Sequence, residues 1–414
     1  MKMRLKIKYA DIKKFGMICF LCIYFTTKLL WDTIPYVFEL FSIGMIAYGG
    51  INAFTTNMHK RGTLVVLYIS LSIYILISAF LQDSQNQIQR ALYEYIFYMF
   101  IFWGTYYWGR HAKIEDWAII LLVIGIVVSC LSWLEYLTHH YLLTNTIEYV
   151  NPTTFRTIVF SRTFLAHGMV ITFFTLLAIY KYITEKKKLF LFLSIFFFLT
   201  IFTTGSRGPL VACLVGIYIM FFLYETTRYG FTLKKFIFLF LTIFGFIFVI
   251  FILLSDFQVG NSIVDYFLNR FRSILNWSTD DGNTGRISIW NYYFKIFKEN
   301  FWLGVGPSQT GSWNLSGKYG VTESGILKRL CELGIIGALL HYMLVFNIFF
   351  MGIKKLKNYK NDLNLIFYLS LFIAVFVDDI TLQATEEIIV SYLMWFALAG
   401  IENSYNRKKF EVSK

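Results

Sequence analysis

The chain has 414 residues, of which 57% are hydrophobic, 20% aromatic and only 15% charged. A soluble globular domain carries about 25% charged residues, and one aqueous core cannot absorb this much apolar surface, so the composition excludes an ordinary soluble fold. The net charge of +13 falls in short clusters between apolar runs, which is a membrane-topology pattern and no footprint of nucleic-acid binding.

A helix crosses the hydrocarbon core with about 20 apolar residues, and lipid obliges its backbone groups to bond within the segment. In chain order, apolar windows predict spans near 15–31, 35–54, 64–81, 91–109, 117–137, 164–182, 188–204, 208–224, 235–254, 332–353, 363–379 and 386–401. The first follows a basic N-terminus, as a signal peptide does; no small-residue cleavage site follows it, and it is expected to be an anchor. The window 91–109 is aromatic and carries Glu94. The expected fold is an all-α polytopic membrane helical bundle of about 12 transmembrane helices, forming one membrane domain over residues 1–414.

Lys and Arg set the orientation. With the N-terminus inside, the inner segments hold 25 of these cations and the outer segments 12. Every short inner loop is basic, so both termini are expected in the cytoplasm. The two sides differ in kind as well. Only 5 of the inner cations are Arg, whereas 8 of the outer ones are: Arg90, Arg156, Arg162, Arg207, Arg270, Arg272, Arg286 and Arg329. Lys suffices for topology, but the planar Arg fork suits phosphate or carboxylate. The pattern points to an outer-face site for a phosphate-bearing lipid.

Two outer segments are long, about 138–163 and 255–331, the latter joining spans nine and ten. Within it, Arg286 to Asn300 has the pattern of an amphipathic helix. Ile289, Trp290, Tyr293, Phe294 and Phe297 recur at helical spacing, and Lys295, Lys298 and Glu299 are polar. Such a helix either lies at the membrane interface or packs over the bundle. Cys19 and Cys22 have redox-motif spacing but sit in an apolar helix, where a structural role is expected. His139 and His140 lack an obvious partner set, and no P-loop, dinucleotide fingerprint or HExxH is present. No metal site and no cofactor are expected.

Four pieces, in order, resemble the O-antigen ligase and polymerase superfamily. The first is RTIVFSRTFLAHG, Arg156 to Gly168; the second is Thr204-Gly205-Ser206-Arg207-Gly208. The third is Gly285-Arg286, then Trp290 and Trp302-Leu303-Gly304-Val305-Gly306; the fourth is Glu323-Ser324-Gly325, then Leu330, Glu332, Gly334 and Gly337. The resemblance covers roughly the second half of the chain. It implies transfer of a glycan from an undecaprenyl-pyrophosphate donor to a sugar hydroxyl, at the outer face of a bacterial cytoplasmic (inner) membrane. It further implies metal-independent chemistry with inversion, and a flippase and a chain-length regulator as partners besides the lipid bilayer and the lipid-linked donor and acceptor.

The residues fit that chemistry. Departure of a pyrophosphate develops negative charge, which cations stabilise. Arg207 meets a helix start, where backbone donors favour phosphate, and Arg286 opens a second helix. Both are expected to hold the pyrophosphate, with Arg162 as a third candidate. A general base must take the acceptor proton. Where the ligase branch usually carries His-Asn, this chain has Glu323 and Ser324, so Glu323 is the expected catalytic base and a Wzy-type polysaccharide polymerase the expected activity. A ligase acting on lipid A-core is the alternative. A transporter or flippase, the third reading, should show charge deep within its spans and repeated halves, and neither is evident. Glu332 is expected to partner Lys328 or Arg329. Asp378, Asp379, Glu386 and Glu387 form an outer acidic cluster with the look of solvated loop charge.

Overall fold

A computed structural model describes residues 62–81, 91–109, 113–142, 155–159, 163–230, 281–311, 319–358 and 362–412, with isolated positions before 62 and at 88–89, 161, 237, 241 and 245. The expected spans near 15–31 and 235–254, Cys19, Cys22 and Arg162 lie outside the described residues, as does most of 35–54.

Every regular element among the described residues is helical. The chain runs through α1 (Gly62–Phe80), a π-helical turn (Leu92–Phe97) leading into α2 (Tyr98–Gly109), α3 (Ile114–Thr138), α4 (Phe164–Glu185) and α5 (Lys188–Ile201). There follow α6 (Arg207–Tyr229), α7 (Asp281–Glu299), α8 (Gly325–Asn358), α9 (Leu363–Thr381) and α10 (Ile388–Val412). Six of these, α1, α3, α4, α6, α8 and α9, contain stretches long and apolar enough to cross a membrane, and α5 and α10 carry shorter apolar helices. The protein is a polytopic helical membrane protein.

Local sequence sets the helix ends. Thr163 caps α4, its hydroxyl accepting from Ala166 N at 3.2 Å, and Asp362 caps α9 through Leu365 N at 3.1 Å; each satisfies an otherwise orphaned donor. Helix α4 lies at the centre, packed against α5, α6, α9 and α10. Helix α9 packs against α6 and α10, and small residues permit the approach. A Cβ at Gly216 of α6 would stand 3.1 Å from Ala374 Cβ of α9. Ile73 and Ile77 of α1, and Leu339 and Met343 of α8, are exposed, as expected of lipid-facing positions.

Helix α8 has 34 residues against 19 in α9, or about 51 Å against about 28 Å at about 1.5 Å per residue. The start of α8 and the end of α9 nevertheless meet, because Gly325 N donates to Leu382 O at 3.1 Å. A break at Gly334 (φ 61°, ψ −172°) puts residues 325–333 on their own axis. The backbone freed there pairs with the turn after α7: Ile335 N donates to Phe301 O, Val305 N to Cys331 O and Gly306 N to Glu332 O, each at 2.8 Å. Gly304 (φ 73°) packs so closely on Gly334 that a Cβ at either would strike the other's backbone. Irregular backbone is thus satisfied inside the protein, as a low-dielectric setting requires.

Candidate functional site

The starts of α6, α7 and α8 and the end of α9 bring together three of the four sequence pieces. Helix α7 packs its apolar face on α8, with Tyr293, Ile296, Phe297 and Cys331 forming a small buried cluster of their own. Of the two expected placements, the packed one is observed for this face; Tyr292 and Phe294 on the other side are exposed. This packing delivers Arg286 to the segment preceding α8. Its Nε lies 3.5 Å from Glu323 Oε2, and both side chains are about 30% exposed.

Glu323 is held from two sides. The Trp290 indole N–H donates to its carbonyl at 3.0 Å. Its neighbour Thr322 donates to Gln383 Oε1, from N at 3.0 Å and from Oγ1 at 2.8 Å. Glu323 itself has φ 52°, in the left-handed region that a residue with a Cβ adopts only when its surroundings impose it. The segment therefore aims the carboxylate and does not merely tolerate it.

Arg207 is the first residue of α6, half-buried, after a turn closed by Gly205 (φ 58°). Ser206 N donates to Thr204 Oγ1 at 3.3 Å. A Cβ on Gly208 would collide with Asp378 Oδ1, so the absence of a side chain there is what lets Asp378 of α9 reach the start of α6. Asp378 is fully buried, and neither carboxylate oxygen has a hydrogen-bond partner among the described residues.

The first sequence piece lies beside this centre. Thr157 N donates to Thr203 O at 3.2 Å, and the Ser132 hydroxyl meets those of Thr157 (2.9 Å) and Thr203 (2.7 Å) and His167 Nε2 (3.0 Å). Buried Glu135 accepts from Ile158 N and Val159 N at 3.1 Å. Arg156 stacks over Phe164 at 4.3 Å. These contacts fasten residues 155–159 to α3 and to the turn before α6.

Below Glu323 lies a second charged group. Lys328 Nζ is 3.3 Å from Glu94 Oε2, 3.4 Å from Glu386 Oε1 and 3.8 Å from Glu332 Oε1. Glu332 accepts from Ser308 N (2.9 Å), Thr310 N (2.8 Å), Thr310 Oγ1 (2.7 Å) and the Tyr95 hydroxyl. Arg329 pairs with Asp379 at 2.6 Å, whose other oxygen accepts from Thr385 N at 3.0 Å. The expected Lys328–Glu332 partnership is present, but Glu332 is chiefly the anchor of the 308–310 turn. The expectation of solvated loop charge is overturned: Asp378, Asp379, Glu386 and Glu387 are all buried, because the segment after α9 folds back over α8 instead of extending into water. Sequence reasoning also missed Glu94, which sits in the π-helical turn with Ser308 Oγ 3.1 Å away. Acidic residues at the edge of apolar spans were the available signal.

The arrangement offers cationic donors, a helix start and a strained carboxylate on one side of the molecule, which suits anion binding and proton acceptance. Among the described residues no group of three His, Cys, Asp or Glu is placed to hold a metal. Residues 190–342 match the O-antigen ligase family. That segment contains Arg207, Arg286 and Glu323 and supports the O-antigen ligase/polymerase superfamily, with glycosyl transfer from lipid-linked sugars as its type of activity. No curated protein matches the chain.

Proposed function

We propose, from the O-antigen ligase/polymerase superfamily that residues 190–342 support, that this protein is a polysaccharide polymerase. It joins lipid-linked repeat units at the outer face of the cytoplasmic membrane, with an undecaprenyl-pyrophosphate-linked glycan as donor and the sugar hydroxyl of another lipid-linked unit as acceptor. The observation that carries this reading is the Arg286–Glu323 pair at 3.5 Å, formed between the third and fourth pieces and aimed by the strained backbone at Glu323.

In this mechanism the donor pyrophosphate takes the fork of Arg286, with Arg207, the start of α6 and Arg162 as further donors. Glu323, relieved of its ion pair, accepts the proton of the acceptor hydroxyl. The hydroxyl oxygen attacks the anomeric carbon opposite the leaving group, the bond from that carbon to the pyrophosphate oxygen breaks, and the arginines stabilise the departing charge. Configuration inverts and no metal takes part. Donor binding and release of the base are then one event. The presence of Glu323 where ligases usually carry His favours polymerisation over transfer to lipid A-core.

The test is turnover of purified lipid-linked repeat units. Arg207→Ala and Arg286→Ala abolish polymer while the protein still inserts, and Lys at either position restores little, because Lys lacks the planar fork. Normal polymer length from either Ala variant removes that residue from the site. The orientation, with residues 255–325 outside and both termini in the cytoplasm, is tested by an impermeant thiol reagent, which should label Asn283→Cys in intact cells; labelling of a terminal cysteine overturns it.

A further inference from the structure

Gln383 plays no part in the mechanism above, yet its side chain is bonded to both charged regions. It follows Leu382, the C-cap of α9, and precedes the short 3-10 turn Ala384–Glu386. Its Oε1 accepts from Thr322, from N at 3.0 Å and from Oγ1 at 2.8 Å. Its Nε2 donates to Glu386 Oε2, and Glu386 Oε1 lies 3.4 Å from Lys328 Nζ. The turn closes on itself, Glu386 N donating to Gln383 O at 3.1 Å, so amide and carboxylate are held side by side.

The amide has one workable orientation. The backbone N–H of Thr322 needs an acceptor and the carboxylate of Glu386 needs a donor, so oxygen faces Thr322 and nitrogen faces Glu386. An apolar side chain at this position would leave both ends unanswered. What the bridge holds is the conformation of Glu323. On one side of that residue Thr322 is tied to Gln383; on the other, Gly325 N donates to Leu382 O at 3.1 Å. Residues 322–325 thus lie along 382–383, with Glu323 bent between the two ties at φ 52°, a conformation costly for a residue with a Cβ. The Leu382 tie runs backbone to backbone and does not depend on the residue there. The Gln383 tie does.

We propose that Gln383 is a positioning residue that fixes the strained backbone of Glu323 by anchoring Thr322 to the Glu386–Lys328 pair. This rests on the functional reading above, in which Glu323 is the base. Gln383 touches no reacting atom; it acts through the backbone of residues 322–323, and Lys328 with its carboxylates supplies the rigid end of the bridge.

The experiment uses the purified full-length protein and Gln383→Met, which keeps the length of the side chain and neither bond. Turnover of lipid-linked repeat units should fall about tenfold or more, because a displaced reacting group loses rate steeply, while affinity for undecaprenyl pyrophosphate stays within about threefold of the wild type. Loss of both together, or of neither, overturns the proposal. A second measurement is independent of activity: the melting temperatures of Glu323→Gly and Glu323→Ala, in the wild-type and Gln383→Met backgrounds. In the wild-type background the Gly variant should melt higher, because glycine adopts φ 52° without strain. In the Gln383→Met background that advantage should vanish or reverse, since the segment relaxes and glycine has more freedom to lose on folding. An advantage that persists there shows that other contacts set the backbone, and the proposal falls. If Gln383→Met does not fold, Gln383→Asn, too short to span Thr322 and Glu386 at once, carries the same comparisons. If Glu323→Gln turns over normally, it is the polymerase mechanism that fails; the hold of Gln383 on the backbone is then decided by the melting temperatures.

Discussion

The charges around Lys328 and the Arg286–Glu323 pair flank the start of α8, yet they are built differently. Lys328 is enclosed by three carboxylates, and Glu332 within that group takes hydrogen bonds from two backbone N–H groups and two hydroxyls. Among the described residues Arg286 has one ion pair, at 3.5 Å to a residue in a strained conformation. A buried pair is strongly destabilised when one member is removed, because the survivor is left uncompensated. A loosely answered centre loses little stability on substitution and gives up function instead. The first region holds the fold together, and the second is the one proposed to take a ligand.

That contrast can be broken at either end. The largest effect is expected from Glu323→Gln, which keeps shape but loses basicity. Turnover of lipid-linked units should fall by about 10²–10⁴-fold, the usual contribution of a positioned base, with single repeat units accumulating and the melting temperature little changed. A fall below about threefold would return Glu323 to the role of a helix-start acid. Next comes Lys328→Met, which strands three carboxylates, two of them buried. It should cost about 3–5 kcal/mol, seen as loss of folded protein in detergent; a variant that folds normally and only loses turnover would move Lys328 into the site.

Glu332→Gln is a milder test on the same side. Hydrogen bonds to a charged acceptor contribute about 1.5–3 kcal/mol each, so melting should drop measurably, with a weaker hold on the 308–310 turn. A melting curve identical to wild type would show that this carboxylate does not anchor the turn. The smallest effect is expected from Trp290→Phe, which removes the single N–H bonded to the Glu323 carbonyl at 3.0 Å. Such a bond contributes about 0.5–1.5 kcal/mol, so turnover should fall severalfold at most, with melting unchanged. A loss as large as that of Glu323→Gln would make Trp290 part of the chemistry and not of its support.

Much of this protein is determined by short stretches of sequence. Apolar runs of the length of a bilayer specify the helices, and the bias of Lys to one side argues the orientation, because hydrophobic length and charge act locally. Arg207, Arg286 and Glu323 stood out in the sequence because each begins or flanks a short glycine-containing piece. The break in α8 was less legible: Gly334 sits in an otherwise uninterrupted helical pattern, and only its contact with Gly304, some thirty residues earlier, requires φ 61° there. The acidic residues were misjudged for the same reason. Asp378, Asp379, Glu386 and Glu387 are hydrophilic neighbours in sequence, and only the packing of α9 on α6 and the return of the chain over α8 bury them. Whether Arg329 finds Asp379, or Asp378 is left facing Gly208, is set by helices from distant parts of the chain. Local pattern decides which residues carry charge near the membrane. Which of those charges are answered is decided by long-range packing, and that difference separates the scaffold from the site.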